Sequence, residues 1–344
     1  MISRSLAALA LAAILSLPAE GAESADPEAG RAGAFDFALV GDYNYGPLGG
    51  PEWRESARMI AAINASGVEF TVHLGDIKSG NPECTDAILA ATRAQFAEYR
   101  APLVYLFGDN EWTDCHRYTA LDPRSPFVNP LERLAKLRRM FYPGTAAQGS
   151  GRPRLERQAD TARKPEFRRF VENVRWEYGG VLFVGANVPG SNNNYSGGPA
   201  SPQTVKVPGQ DTEWALRNAA VIDWLRDSFQ LAGKTRARAV FLLWQANPDF
   251  ERGQRELPRY DSNGFHGLID ALKELATAFA GPVVLAHGDT HAGFRMDHPL
   301  PLPNFVRVEN YGNPHTHWTR ITVLPDRQGM DIFRFEGMRV PGNP

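Results

Sequence analysis

Short unbroken apolar runs alternate along this chain with stretches whose apolar residues recur at helical spacing. Phe35–Val40 is such a run and ends in Gly41-Asp42; residues 56–63 then show a helical period. Residues 68–74 end in Gly75-Asp76, 87–96 are again helical, and 103–107 end in Gly108-Asp109. Farther along, a helix over 213–231 leads into a strand over 239–245. Another over 267–279 leads into Val283–His287 and Gly288-Asp289. Strands alternating with helical stretches predict an α/β fold whose neighbouring strands run parallel. Between these halves, 131–141 reads as a helix, 149–164 as a basic polar loop, and 176–188 as a hairpin turning at Gly179-Gly180. The Asn-, Gly-, Pro- and Ser-rich residues 191–211 read as a long surface loop. The tail alternates at Phe305–Glu309, Trp318–Val323 and 331–335, which predicts antiparallel strands. Neither repeats nor a linker interrupts 33–340, so one domain is expected there.

The N-terminus changes where this fold is expected to reside. Arg4 precedes an uncharged apolar run from Leu6 to Leu17, and Pro18 and small residues follow. That order reads as a secretory signal peptide over 1–25, with cleavage between Ala19 and Ala25. The run is too short to cross a hydrocarbon core of roughly 30 Å, and no later stretch is apolar enough to do so. An exported protein, periplasmic or extracellular, is expected. Cys84 and Cys115 are the only 2 cysteines. An oxidising compartment favours joining them, closing a loop whose entropy is worth roughly 3–4 kcal/mol; the alternative is two free thiols. With 37 Lys+Arg against 39 Asp+Glu the net charge is −2, which provides no clustered positive excess to capture nucleic acid. Gly-x-Ser-x-Gly and His-Glu-x-x-His are both absent, which disfavours a serine hydrolase and a zincin.

Asp42, Asp76, Asp109 and Asp289 each follow a glycine at the end of an apolar strand. Ligands of open α/β sheets gather outside the carboxyl ends of the strands, so these carboxylates are expected to meet there. Crowded together unpaired they repel one another, and one or two divalent cations remove that cost. The segments Gly41-Asp42-Tyr43-Asn44, Gly75-Asp76-Ile77-Lys78, Gly108-Asp109-Asn110-Glu111, Trp244-Gln245-Ala246-Asn247-Pro248 and Gly288-Asp289-Thr290-His291 resemble, in order and in strand context, the motifs of the calcineurin-like metallophosphoesterases. The resemblance implies two stacked β-sheets flanked by helices, a four-layer α/β sandwich, and hydrolysis of a small phosphate ester by metal-activated water. It also implies two ions about 3.5–4 Å apart bridged by Asp76.

Carried over position by position, the resemblance implies a first metal held by Asp42, Asn44, Asp76 and His291, with Tyr45 as an alternative to Asn44. A second is implied at Asp76, Asp109, Gln245 and Asp289. The second set is all oxygen, which suits hard ions, so Mg²⁺, Ca²⁺, Mn²⁺ or iron is expected. Asn110 stands where the family has a proton-donating histidine; an amide orients a phosphate but delivers no proton. His116, His287, His315 and His317 are the replacement candidates. Lys78, Arg117, Asn192 and Asn193 are candidate phosphate contacts, and the polar loop from Glu111 to Arg117 is placed to line a pocket. Trp112 and Trp244 are expected to pack. A disulfide from Cys115 to Cys84 would pin two site loops together. The rival to an enzyme is a metal-stabilised binding protein on the same fold, favoured by the loss of four family histidines.

Overall fold

The computed structural model describes residues 1, 33–80, 84–116, 128–148, 154–197, 207–248, 250, 264–265 and 267–344. Apart from Met1, the expected leader lies outside them, as does Arg117. The described strands are β1 (Phe35–Val40), β2 (Thr71–His73), β3 (Leu103–Tyr105), β4 (Glu156–Arg157), β5 (Val174–Tyr178), β6 (Val181–Gly185), β7 (Ala239–Leu243), β8 (Val283–His287), β9 (Arg295–Asp297), β10 (Phe305–Glu309), β11 (Trp318–Val323) and β12 (Phe333–Met338). They form two mixed sheets, ordered β12-β11-β1-β2-β3 and β4-β5-β6-β7-β8-β10-β9. The expected parallel neighbours are present in both: β1, β2 and β3 in the first, and β6, β7 and β8 in the second.

Aromatic rings fill the space between the sheets. Phe37 of β1 meets Phe183 of β6 and Phe241 of β7 edge-on, each with ring centroids 5.2 Å apart. Alternate residues of β6 serve two cores. Val181 and Phe183 belong to the inter-sheet cluster, while Leu182 and Val184 face a second cluster containing Trp224, Leu225 and Leu272. The last three come from helices α4 (Gln210–Thr235) and α5 (Leu268–Ala278), with Trp224 and Leu225 on α4 and Leu272 on α5. A strand buried on both faces carries apolar residues at every position, which is why these strands read as unbroken runs. The remaining longer helices are α1 (Pro51–Ser66), α2 (Asp86–Phe96) and α3 (Pro130–Phe141). α1 begins earlier than its apolar period because Pro51 suits a first turn, and it ends at Gly67 in the left-handed region, φ 74°.

The hairpin turns where expected, with φ 57° at Gly179 and 76° at Gly180, values a two-residue turn of this hand requires. Two expectations need correction. β11 and β12 pair antiparallel, but β10 runs parallel to β8 inside the other sheet and pairs antiparallel only with β9. Residues 154–164 are not simply a loop, since β4 and a helical turn, Gln158–Thr161, occupy part of them. The disulfide Cys84–Cys115 forms, with the Cα atoms 5.5 Å apart. Among the described residues no helix is long and apolar enough to cross a membrane.

Candidate metal centre

Six of the expected site residues leave the carboxyl ends of five strands. Asp42 follows β1, Asp76 follows β2, Asp109 follows β3, Gln245 follows β7, and Asp289 and His291 follow β8. The loops after β1 and β2 lock together through Asp42 N–H donating to the Gly75 carbonyl, 3.0 Å, and Tyr43 N–H to the Asp76 carbonyl, 3.2 Å. The two sheets meet where Asp289 N–H donates to Asp42 Oδ1, 2.9 Å. Glycine before each aspartate makes this closeness sterically feasible. A Cβ at Gly108 would stand 2.0 Å from Asp76 Oδ1, and one at Gly288 would stand 2.1 Å from Asp42 Oδ2. Asp42, Asp76, Asp289 and His291 all sit at positive φ, between 54° and 78°. Each such residue costs about 1–3 kcal/mol, and such strain concentrates where side chains must be aimed at a site.

The carboxylates converge as two triads sharing one member. Ligand atoms of Asp42, Asp76 and His291 all lie within 4.8 Å of one another, as do those of Asp76, Asp109 and Asp289. Burial drives the Asp76 and Asp289 carboxyls well above the usual carboxylate range, and repulsion from Asp109 and Asp42 adds to it. Burial also raises Asp42, opposed by the hydrogen bond and charge of His291. The same hydrogen bond to Asp42 raises His291. Among the described residues, His291 on Asp42, 3.4 Å, is the one ion pair to any of the four aspartates. The cluster is acidic, short of positive charge and buried except for half-buried Asp289 and His291, and buried Asp42 Oδ2 has no hydrogen-bond partner. A divalent cation fits the first triad on those grounds.

Other expected site residues meet partners of their own. Asn44 is buried but turned away: its amide donates to Gln95 Oε1, 2.8 Å, and accepts from Ser56 Oγ, 2.7 Å. Tyr45 takes its place, its hydroxyl donating to Asp76 Oδ2 at 2.9 Å and standing 3.0 Å from His291 Nε2. Burial holds that phenol well above its ordinary range, so it stays neutral. Gln245 does not offer its oxygen. Its Nε2 donates to Asp109 Oδ1 and Asp289 Oδ1, each 3.1 Å, while Oε1 accepts from Gly190 N–H. Asn110 sits in the cluster with its amide committed, Nδ2 donating to Asp76 Oδ2, 2.8 Å, and to the Tyr45 hydroxyl, 3.1 Å.

Lys78 is buried and points at carbonyls, donating to Asn110 O at 2.9 Å and to Ser79 O, so it braces two site loops instead of presenting its charge to a phosphate. Burial pushes its ammonium down to about 8. Asn192 and Asn193 build their own left-handed turn, φ 56° and 54°. Asn192 Nδ2 donates to Gly197 O and Asn193 Nδ2 to Gly264 O, each 2.8 Å. Arg117 lies outside the described residues. His116 Nδ1 stands 2.7 Å from the Thr113 carbonyl, and His287 is buried with Nδ1 2.8 Å from Gly288 O. Rings of His315 and His317 stack on each other, centroids 6.3 Å apart. Trp112 and Trp244 are fully buried, as expected.

Sequence reasoning missed Ser191, whose hydroxyl stands 2.6 Å from Asp109 Oδ2 and 2.7 Å from Asp114 Oδ1 and shares its one hydrogen between them. It also missed the structural part of Glu111, whose Oε1 accepts from Tyr105 OH, 2.7 Å, and from Gly108 N–H, 2.5 Å. Burial lifts that carboxyl to about 7. Nothing in the local sequence around Ser191 distinguishes it from the surrounding loop.

No protein-family model matches the chain, and no curated protein matches it. Solved structures do. GAP50, the anchor in the inner membrane complex of Plasmodium, is 10% identical with a TM-score of 0.43, over 91% of this chain and 90% of that one. The purple acid phosphatase PPD1 from yellow lupin seeds is 12% identical with a TM-score of 0.46, over 91% of this chain and 53%, about half, of its own. TT1561 of Thermus thermophilus is 10% identical with a TM-score of 0.43, over 89% of this chain and 99% of that one.

Proposed function

We propose that this chain is an exported, metal-dependent phosphoesterase that cleaves a small phosphate ester with water. One observation carries the reading: carboxylates from the ends of four strands in two sheets converge within 4.8 Å as triads sharing Asp76, with a single histidine, among the described residues, as the partner of opposite charge. Asp42, Asp76 and His291 would hold the cation, with Tyr45 beside them. When bound, it supplies Lewis acidity toward a phosphoryl oxygen and toward the attacking water. The chain's own contribution is to aim the ligands. Tyr45 and Asn110 hold Asp76 through its Oδ2, the Asn110 backbone N–H holds Oδ1 at 3.2 Å, and Asp289 N–H fixes Asp42. No described contact joins His287, His315 or His317 to an aspartate of the cluster. Export is supported by the N-terminal pattern and by the Cys84–Cys115 bridge.

The test is metal analysis of the purified protein beside hydrolysis of an aryl phosphate monoester and diester, with Asp76→Asn as control. Turnover that falls at least 100-fold in the variant supports the enzyme. Bound metal with no Asp76-dependent turnover supports the second reading, a metal-stabilised binding protein. That reading is favoured by one observation: amide hydrogens of Gln245 fill the space between Asp109 and Asp289, where a second cation would sit.

A further inference from the structure

We propose that the centre takes one divalent cation, in the Asp42–Asp76–His291 triad, and that the side-chain amide of Gln245 permanently replaces a second one. The inference rests on the metal-dependent reading above, and it concerns which of the two overlapping triads is a vacant ligand set. The oxygens decide this one by one. Asp109 Oδ1 accepts from Gln245 Nε2, and Oδ2 shares the single Ser191 hydroxyl hydrogen with Asp114 Oδ1. Asp289 Oδ1 accepts from Gln245 Nε2, and Oδ2 accepts from the Asn247 backbone N–H at 3.3 Å. Every carboxylate oxygen unique to the second triad therefore already has a protein donor. In the first triad, Asp42 Oδ2 has none, although Asp42 is only 1% exposed. A buried carboxylate oxygen without a partner costs several kcal/mol unless something positive meets it.

The amide cannot simply rotate to become a ligand. Gln245 is fully buried, and its Oε1 accepts from the Gly190 backbone N–H; turning the amide over would set its NH₂ against that N–H and leave buried Asp109 and half-buried Asp289 facing a carbonyl. Gly190 is itself held close, since a Cβ there would stand 2.3 Å from Asp289 Oδ1 and 2.7 Å from Asp109 Oδ2. A cation entering the second triad would have to displace the NH₂ group from both carboxylates at once, with no room for the side chain to retreat. In the first triad the Asn110 amide also donates, to Asp76 Oδ2 at 2.8 Å, but it leaves one buried oxygen of Asp42 without any donor. The acidic oxygens of that triad face an imidazole and a neutral phenol, both of which ligate divalent ions.

The experiment loads the full mature chain with Mn²⁺, removes free ion by dialysis, counts bound manganese, and records its electron paramagnetic resonance spectrum. One ion per chain is expected, with the hyperfine pattern of an isolated Mn²⁺. Asp42→Asn should weaken its binding at least 100-fold, whereas Asp109→Asn should leave the count at one. Gln245→Glu, which converts the plug into a carboxylate, should raise the count to two and give an exchange-coupled spectrum. Two ions, or a coupled spectrum, in the unaltered protein would overturn the inference and leave the phosphoesterase reading standing. No bound ion at millimolar Mn²⁺ would overturn both. One isolated ion without aryl phosphate turnover would sink the phosphoesterase reading alone.

Discussion

At the scale of single residues, closeness in this centre depends on missing side chains. Gly288 lies against Asp42 Oδ2 so tightly that a methyl group would stand 2.1 Å from it, inside any permissible contact. That oxygen is the unpartnered one, so Gly288→Ala should push the carboxylate off its line and weaken Mn²⁺ binding at least 10-fold, read by isothermal titration. The control is Gly233→Ala. Gly233 is exposed near the end of α4, and a methyl group there would meet nothing within 4 Å. Alanine at that position should leave binding unchanged and stabilise the fold by roughly 0.5–1 kcal/mol in urea unfolding. If both glycines tolerate alanine equally, the steric account of the centre fails. Residue scale is also where spacing misleads. Asn44 and Tyr45 are neighbours on a chain that passes through φ 64° at Asn44, and this local turn decides which of the two faces Asp76. Spacing from Asp42 identifies both and selects neither. Likewise the sequence names Gln245 but not which end of its amide faces the carboxylates; the N–H of Gly190, far away in the chain, decides that.

At the scale of elements, the segment after β2 and the turn Thr113–His116 are stapled by Cys84–Cys115 with a separation of 31 residues. The same two segments are braced by Lys78 on the Asn110 carbonyl. Removing the staple with a Cys84→Ser, Cys115→Ser pair should lower stability by about 3–4 kcal/mol, measured as the unfolding free energy from denaturant curves with the slope fitted for each protein, since the slope rises as the unfolded chain expands. Because Asp114 of that turn meets Ser191, which reaches Asp109 and not the Asp42–Asp76–His291 set, Mn²⁺ affinity should stay unchanged while stability falls. Unchanged stability would mean that Lys78 and the packing of Trp112 alone fix the turn. The elements themselves are largely legible in the sequence. Apolar runs capped by Gly-Asp mark β1, β2, β3 and β8, because strands buried on both faces leave few polar positions to blur the signal. β10 misleads for the opposite reason. Its alternating Phe-Val-Arg-Val-Glu looks half-solvated, yet Arg307 and Glu309 are both buried, Arg307 paired with Asp297 at 2.9 Å and Glu309 with Arg295 at 3.1 Å. Polar residues neutralised by partners inside a sheet mimic a solvent-facing pattern.

At the scale of the whole molecule, the core on the helix-covered face of the first sheet contains an imidazole that links global stability to pH. His73 of β2 is fully buried among the rings of Tyr43, Phe96 and Tyr105, centroids 4.8, 5.2 and 5.4 Å away. Its Nδ1 accepts from Gly75 N–H at 3.1 Å, which fixes the neutral tautomer, and Nε2 has no partner. Burial lowers its pKa to about 3 from 6.5. The folded state therefore resists a proton that the unfolded state accepts below pH 6.5. This contribution to stability is fully present above 6.5 and declines as pH falls toward 3. For one site with these values, moving from neutral pH to pH 5 should cost about 2 kcal/mol. His73→Phe keeps the ring among its aromatic neighbours and removes the titration, while losing the Gly75 hydrogen bond. The variant should start less stable at pH 7.5 yet lose about 2 kcal/mol less than the parent on going to pH 5, as read from urea midpoints with a chelator present to silence the metal centre. Equal losses in the two proteins would place the acid sensitivity elsewhere, and would show that the imidazole is protonated within the folded core despite its apolar surroundings.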